Sequence, residues 1–479
     1  MSRHSSKASL YLKGVSAGAW AMGVDLLAGF TGLWLTTRIL GKEEYGALAI
    51  AMAWMYFLNQ FSTLGLDRTL LYRVSAFTRT PGRLVGGNIA STIAATVAVV
   101  GVGVGVVSAC AAVLLGERFG FDPYWFVVLS CALPFVCLIE VAKTWQTAND
   151  RAHVAQLLAP CGTVVRVGIL YATWLTEGGR TGVAAAQIAG FALALALYVA
   201  AIPKCSFGWF TRLSRGDYIY GMKLVLTRVA QEGILRVDVV MLGFLASAGG
   251  VAEYAVARRL AELAQIGNRW LAPVFTPRMR YAIKSGDFDG LAREYSQNRL
   301  VATGVAYCLI GGYFVLGEWL LHLFGAYTGA WPVLMILVSG YAMTQMFGAT
   351  GRYLNMAGHA SISLYSTIAV LLIDVILNYL TIPVWGAVGA AISTVIALAG
   401  LNSIMAWIIA RIDQFKTIKF MTMWAILSMF VSSLVWTPLL GNSWQLAGIV
   451  ALLSSALFLF SERRELRHFR SALTKLVAR

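Results

Sequence analysis

The chain has 479 residues, of which 58% are hydrophobic and only 13% charged, and its mean hydropathy is +0.71. A soluble domain carries about 25% charged residues, so the composition excludes a soluble enzyme, a disordered tail protein and a receptor with a single anchor. The net charge of +16 does not point to nucleic acid, because the Lys and Arg residues sit in short gaps between apolar runs rather than on a basic face interleaved with aromatics.

A membrane-crossing helix needs about 20 predominantly apolar residues. On that length the chain reads as an all-α polytopic membrane protein with 14 transmembrane helices; a barrel would show short alternating segments instead. The first span, 14–38, follows Arg3, Lys7 and Lys13 and contains Asp25; it is too long for the apolar region of a cleaved signal. Next come 45–66, then 87–115 with its Gly101-xxx-Gly105 spacing for close helix approach, then 123–143 with Glu140. Spans 154–175 and 181–203 follow. The seventh and eighth, 219–246 and 250–275, hold most of the intramembrane charge. Beyond them lie 299–324, 331–350, 362–382 with Asp374, 386–410, 419–440 and 443–460. Segment 276–298 and the tail 462–479 mix basic and apolar residues and read as interfacial helices on the membrane surface.

Basic residues alternate with these spans. The even-numbered gaps and both ends carry nearly all of them, whereas the other side holds only Arg38, Lys42, Arg118 and Arg180. Positive residues stay on the cytoplasmic side, so both termini are expected in the cytoplasm. The six cysteines show no CxxC spacing and no cluster with histidine, so they read as packing thiols, and neither a metal nor a cofactor is expected. Most of the 15 Trp and 19 Tyr are expected in the interfacial belts, with some available to stack on sugar rings.

Charges inside spans are the informative residues. Span 7 carries Arg228, Glu232, Arg236 and Asp238, and span 8 carries Arg258, Arg259, Glu262 and Arg269. Each charge at mid-membrane costs about 2.5–3.5 kcal/mol, so these faces must meet a wet cavity or partners. Arg228, Glu232 and Arg236 step by four along one stripe, as do Arg258 and Glu262. At about 1.5 Å per residue, Arg236 and Asp238 reach depths close to Arg258 and Glu262. Two readings stay open. Either these are salt bridges that fix helix register, or some of the five arginines face a cavity and bind an anion. The second rests on the surplus of five Arg over three carboxylates, and planar guanidinium suits a diphosphate. Asp25, Glu140 and Asp374 are isolated intramembrane acids, candidates for proton or sodium coupling or for local pairing.

The sequence also repeats. Glu44-Tyr45-Gly46-Ala47 recurs as Glu253-Tyr254-Ala255-Val256, Asn149…His153 as Asn355…His359, and Gly182-Val183-Ala184-Ala185 as Gly389-Ala390-Ala391-Ile392, all at nearly one spacing. Spans 1–6 and 7–12 therefore read as two lobes in parallel orientation about an axis along the membrane normal. The expected division is an N-lobe 1–204, a C-lobe 205–412, two appended spans 413–461 and a basic cytosolic tail 462–479.

Ile39-Leu40-Gly41-Lys42-Glu43-Glu44-Tyr45-Gly46 resembles the segment joining the first two helices of polysaccharide transporters in the multidrug/oligosaccharidyl-lipid/polysaccharide superfamily. The run from Asn355 to His359, then Asn378, then Ile382 to Ala391, resembles the C-lobe pattern of the same group. Fourteen spans fits its Wzx-type oligosaccharide-lipid flippases. The resemblance implies transport of an undecaprenyl-diphosphate-linked oligosaccharide from the inner to the outer leaflet of the bacterial plasma membrane, by alternating access and with no bond made or broken. It also implies membrane lipid, a polysaccharide polymerase and a chain-length regulator as partners. O-antigen of lipopolysaccharide, enterobacterial common antigen, capsule and exopolysaccharide all remain open as cargo. The alternatives are an ion-coupled drug or cation antiporter of the related multidrug branch, which would need an acidic cavity, and a membrane glycan-assembly enzyme. The enzyme would want a sizeable hydrophilic loop and paired carboxylates, and the chain has neither signature.

Overall fold

The computed structural model describes residues 2–70, 87–119, 122–149, 151–202, 213–268, 285–325 and 327–412, with isolated positions at 275, 279, 282, 283, 427, 454–456 and 458. Among them all regular structure is helical. The main helices are α1 (Ser2–Ile39), α2 (Lys42–Ser62), α3 (Gly87–Phe119), α4 (Pro123–Ala148), α5 (Ala152–Leu175), α6 (Gly179–Ala200), α7 (Arg215–Leu245), α8 (Ala248–Ala261), α9 (Phe288–Phe324), α10 (Trp331–Phe347), α11 (Thr350–Met356) and α12 (Ala360–Ile412). Seven described helical stretches are long and apolar enough to cross a membrane. Spans 13 and 14 and the tail, as expected from sequence, lie outside the described residues apart from those isolated positions.

Local chemistry sets the helix starts. Asp122 caps α4 by accepting from the Tyr124 amide at 3.0 Å, with Pro123 in the first turn where its missing N–H costs nothing. Ser247 accepts from Gly250 to open α8, and Asp287 accepts from Gly290 to open α9. Glu43 and Glu44 place negative charge at the positive end of α2.

Two elements differ from the sequence expectation. The second half of segment 276–298 is not part of an interfacial helix of its own: from Phe288 onward it is the first part of α9, opened by the Asp287 cap, and most of 276–287 lies outside the described residues. Its Leu291 and Tyr295 are buried, and Tyr295 donates to the Phe347 carbonyl. The eighth span is likewise not one continuous α-helix, since a 3-10 turn at Glu262–Gln265 follows α8.

The chain divides into two compact units, 1–236 and 237–479, and the division falls inside α7. In the first unit α1 packs on α5, α3 on α4, and α6 on both α4 and α5. Glycines permit the close approaches: a Cβ on Gly162 would meet the Gly190 carbonyl at 2.8 Å, and one on Gly105 would meet the Ser130 carbonyl at 2.8 Å. The outer face of α3, with Val99, Val102, Val106, Val107 and Leu114, is exposed and apolar, which suits lipid contact.

In the second unit α10 is the central helix, buried from Val333 to Met343 and packed by α8, α9 and α12. Helix α12 has 53 residues, about 80 Å if straight, far more than the ~30 Å hydrocarbon core. Its backbone breaks at Gly386 (φ 54°, ψ −129°), three residues after Pro383. The Thr381 hydroxyl contacts the Gly389 carbonyl at 3.0 Å and Ser393 Oγ at 2.8 Å, separations that a straight helix cannot close. The two halves therefore fold back as a helical hairpin.

Candidate functional site

In the first unit, α1 and α5 bring Asp25 beside Thr163, whose hydroxyl donates to the carboxylate at 2.8 Å. One turn along α5, Arg166 donates to the Gln187 side chain on α6 at 3.3 Å. Its stem packs on Gly190, where a Cβ would come within 3.1 Å of it, and its Nη2 lies near Gly32, where a Cβ would come within 3.8 Å. Sequence reasoning passed over Arg166. An arginine in the middle of the fifth apolar run was the available signal.

The turn after α2 is packed against α7. Leu64 (φ 48°) and Gly65 (φ 64°) both adopt left-handed backbone, and a Cβ on Gly65 would overlap the Gly221 carbonyl. The Thr69 hydroxyl reaches the Asp217 carbonyl. The helical stretch that follows the turn carries Asp67, fully buried, with Arg228 Nη2 at 2.9 Å from its carboxylate but not aligned as a hydrogen bond. Burial pushes the Asp67 carboxyl above the usual carboxylate range, and Arg228 and Arg68 pull it only partly back. Further along α7, Arg236 lies 3.7 Å from Glu232, the loosest of the candidate pairs, with its guanidinium 4.7 Å from the centre of the Tyr56 ring. About a third of the Arg236 side chain is exposed, 35%.

In the second unit, Asp238 and Arg258 meet. Arg258 Nη1 lies 2.7 Å and 2.6 Å from the two Asp238 oxygens, and its Nε is 3.4 Å from Glu262. Both residues of the pair are buried. The Tyr254 hydroxyl donates to Asp238, and Thr394 on α12 completes the shell at 3.4 Å. These two uncharged partners were not visible from charge patterning. Arg259, 45% exposed, shares Glu262 at 3.2 Å. Asp374 is buried on α12, with Asn378 donating to it at 3.0 Å. Arg269 lies outside the described residues.

Each of the four described arginines thus has a carboxylate within 4.0 Å, and the partner of Arg228 comes from outside spans 7 and 8. They differ in how tightly they are held. Arg258 is buried and engaged by both Asp238 oxygens, whereas Arg236 and Arg259 are loosely paired and partly exposed. Among the described residues no group of His, Cys, Asp and Glu has the arrangement of a metal site.

Residues 11–280 match the family described as polysaccharide biosynthesis protein. The chain belongs to that family. Among curated proteins no sequence matches it. The fold of this polysaccharide biosynthesis protein is shared with solved membrane transporters. The lipid II flippase MurJ, in an inward closed conformation, aligns over 95% of this chain and 99% of its own, with a TM-score of 0.67 at 13% identity. An outward-facing multidrug resistance MATE family transporter of the MOP superfamily aligns over 85% of this chain and 96% of its own, at TM-score 0.62 and 16% identity. A MOP superfamily transporter from Pyrococcus furiosus, described by the reversed polarity of its binding pocket, gives 0.60 at 14% identity over 85% and 96%. At such identities the likeness is one of fold. The protein is therefore a multi-pass membrane protein, helical throughout the regular structure of its described residues, with a fold like that of these transporters.

Proposed function

We propose that this protein is a flippase that carries a polyprenyl-diphosphate-linked oligosaccharide from the inner to the outer leaflet of the bacterial plasma membrane by alternating access. The observation that carries the reading is the family match over residues 11–280, joined to a fold shared with a lipid II flippase along nearly the whole chain. The MATE structures leave 15% of this chain unaligned while using 96% of their own. That remainder is long enough for two further spans with their connections and a tail, which supports a chain of 14 helices; both termini in the cytoplasm and lobes 1–204 and 205–412 belong to the same reading.

Arg236 in the first unit and Arg259 in the second are the arginines best suited to meet a diphosphate, each being partly exposed and loosely paired, followed by Arg228. Arg258 is better suited to hold α7 against α8 through Asp238. Asp25, Glu232, Asp238, Glu262 and Asp374 remain the acids for pairing or for proton or sodium coupling. An antiporter of the multidrug branch is the second reading, favoured by the shared MATE fold.

Depletion of the protein in its host tests the choice. Accumulated lipid-linked oligosaccharide together with loss of surface polysaccharide is the expected result. Unchanged surface polysaccharide with a gain in drug sensitivity would favour the antiporter.

A further inference from the structure

At the end of the first unit where α3 begins and α4 and α6 finish, three helices border a half-open groove of about 130 Å³. Gly87, Ala90 and Ala94 on α3 form one wall, and Trp145 on α4 with Val199 and Ile202 at the end of α6 form others. The small residues on α3 leave space there that no side chain fills. Every side chain lining it is apolar except for the indole N–H of Trp145, so it offers a water far fewer than the two to four polar partners that one needs. Hydrocarbon is the filling such walls favour.

Two polar features sit at this end. Trp145 is 2% exposed, and its indole N–H has no acceptor among the described residues. A tryptophan N–H buried in an apolar wall normally finds an acceptor. Arg151, in the turn after α4, donates through Nη1 to the Ala201 carbonyl at 3.0 Å, next to Ile202 in the groove wall. A guanidinium has five donors, so one such bond leaves capacity for an anion at the rim.

We infer that this groove is a binding site for an anionic glycerophospholipid of the leaflet that faces the cytoplasm in the expected topology. One acyl chain lies along α3, its ester carbonyl accepts from Trp145 after a small shift of the ring, and the phosphate rests on Arg151. The Trp145 donor favours an acyl ester over the polyprenyl chain of a transport substrate, since an isoprenoid hydrocarbon has no carbonyl to offer. The site lies wholly within the first unit and uses none of the arginines of α7 and α8.

Native mass spectrometry of the purified full-length chain, delipidated and then supplied with dioleoylphosphatidylglycerol or dioleoylphosphatidylcholine, tests the site. Wild type is expected to hold one phosphatidylglycerol, with the phosphatidylcholine adduct about tenfold weaker. Ala94→Phe fills the groove and Arg151→Gln removes the rim cation, and each is expected to lower the phosphatidylglycerol adduct about tenfold. Arg151→Lys should restore part of it, and Leu193→Phe, on α6 but outside the groove, should change nothing. Ala90→Leu carries the filling test where Ala94→Phe does not fold. Equal binding of the two phospholipids, or undiminished phosphatidylglycerol on folded filled variants, would overturn the assignment. So would displacement of phosphatidylglycerol by undecaprenyl phosphate, which would give the groove to a polyprenyl tail.

Discussion

Arg258→Gln separates a structural arginine from one that binds substrate. The Arg258 side chain is 8% exposed and that of Asp238 is fully buried, so neither charge has appreciable contact with solvent. Removing the guanidinium leaves the carboxylate with the Tyr254 and Thr394 hydroxyls as its remaining side-chain donors among the described contacts. Breaking a buried pair from one side costs about 3–5 kcal/mol, a large share of the ~5–15 kcal/mol that holds a typical folded domain. The expected outcome is low yield and a clearly lower Tm for the single variant in detergent. Asp238→Asn added to it should recover most of the loss, because the uncharged pair no longer buries a lone charge. Arg259→Gln serves as the comparison: that ion pair is 45% exposed on the arginine side, and exposed pairs contribute about 0–1 kcal/mol. An Arg258→Gln protein with wild-type Tm and no glycan export would refute the reasoning and place Arg258 at the substrate.

Gly65→Ala should lower Tm, since it forces a side chain into left-handed backbone against the Gly221 carbonyl; Gly103→Ala, in open space on α3, should not. Asp67 titrates above its ordinary value of 3.8, so as pH rises past that value the unfolded chain gives up its proton first and stability falls. Asp67→Asn should remove this contribution, and the difference in Tm between variant and wild type should grow in the variant's favour from acid toward neutral pH; a constant difference would contradict it. Asp25→Asn should slow transport driven by a proton gradient while leaving Tm unchanged, because the amide still accepts from Thr163; transport unchanged across pH would leave Asp25 as a packing partner.

Helices and their apolar faces were legible because a hydrocarbon environment demands long runs of one character. The contact between Asp238 and Arg258 was legible for a related reason: two charges at matching depth on sequential helices have few other places to go. Asp67 was not, because it lies beyond the second span, just after a turn, and the pairing of Arg228 with it depends on how that turn packs against α7. Counting charges within spans 7 and 8 therefore overstated the free positive charge. Tyr254 and Thr394 escaped notice because hydroxyls carry no charge signature. The 3-10 turn after α8 and the long start of α9 depend on packing and capping that an apolar run does not encode. The fold-back of α12 was legible as two spans, and Gly386 at their junction is where the backbone reverses.

Transport itself is measured most directly in proteoliposomes containing a fluorescent polyprenyl-diphosphate oligosaccharide, with a membrane-impermeant quencher or glycosidase reporting which leaflet holds the sugar. The account predicts that wild type moves the sugar between leaflets, and that a folded Arg236→Gln/Arg259→Gln variant with wild-type Tm does so far more slowly. Equal rates in protein-free liposomes and in proteoliposomes, or wild-type rates in that variant, would contradict it.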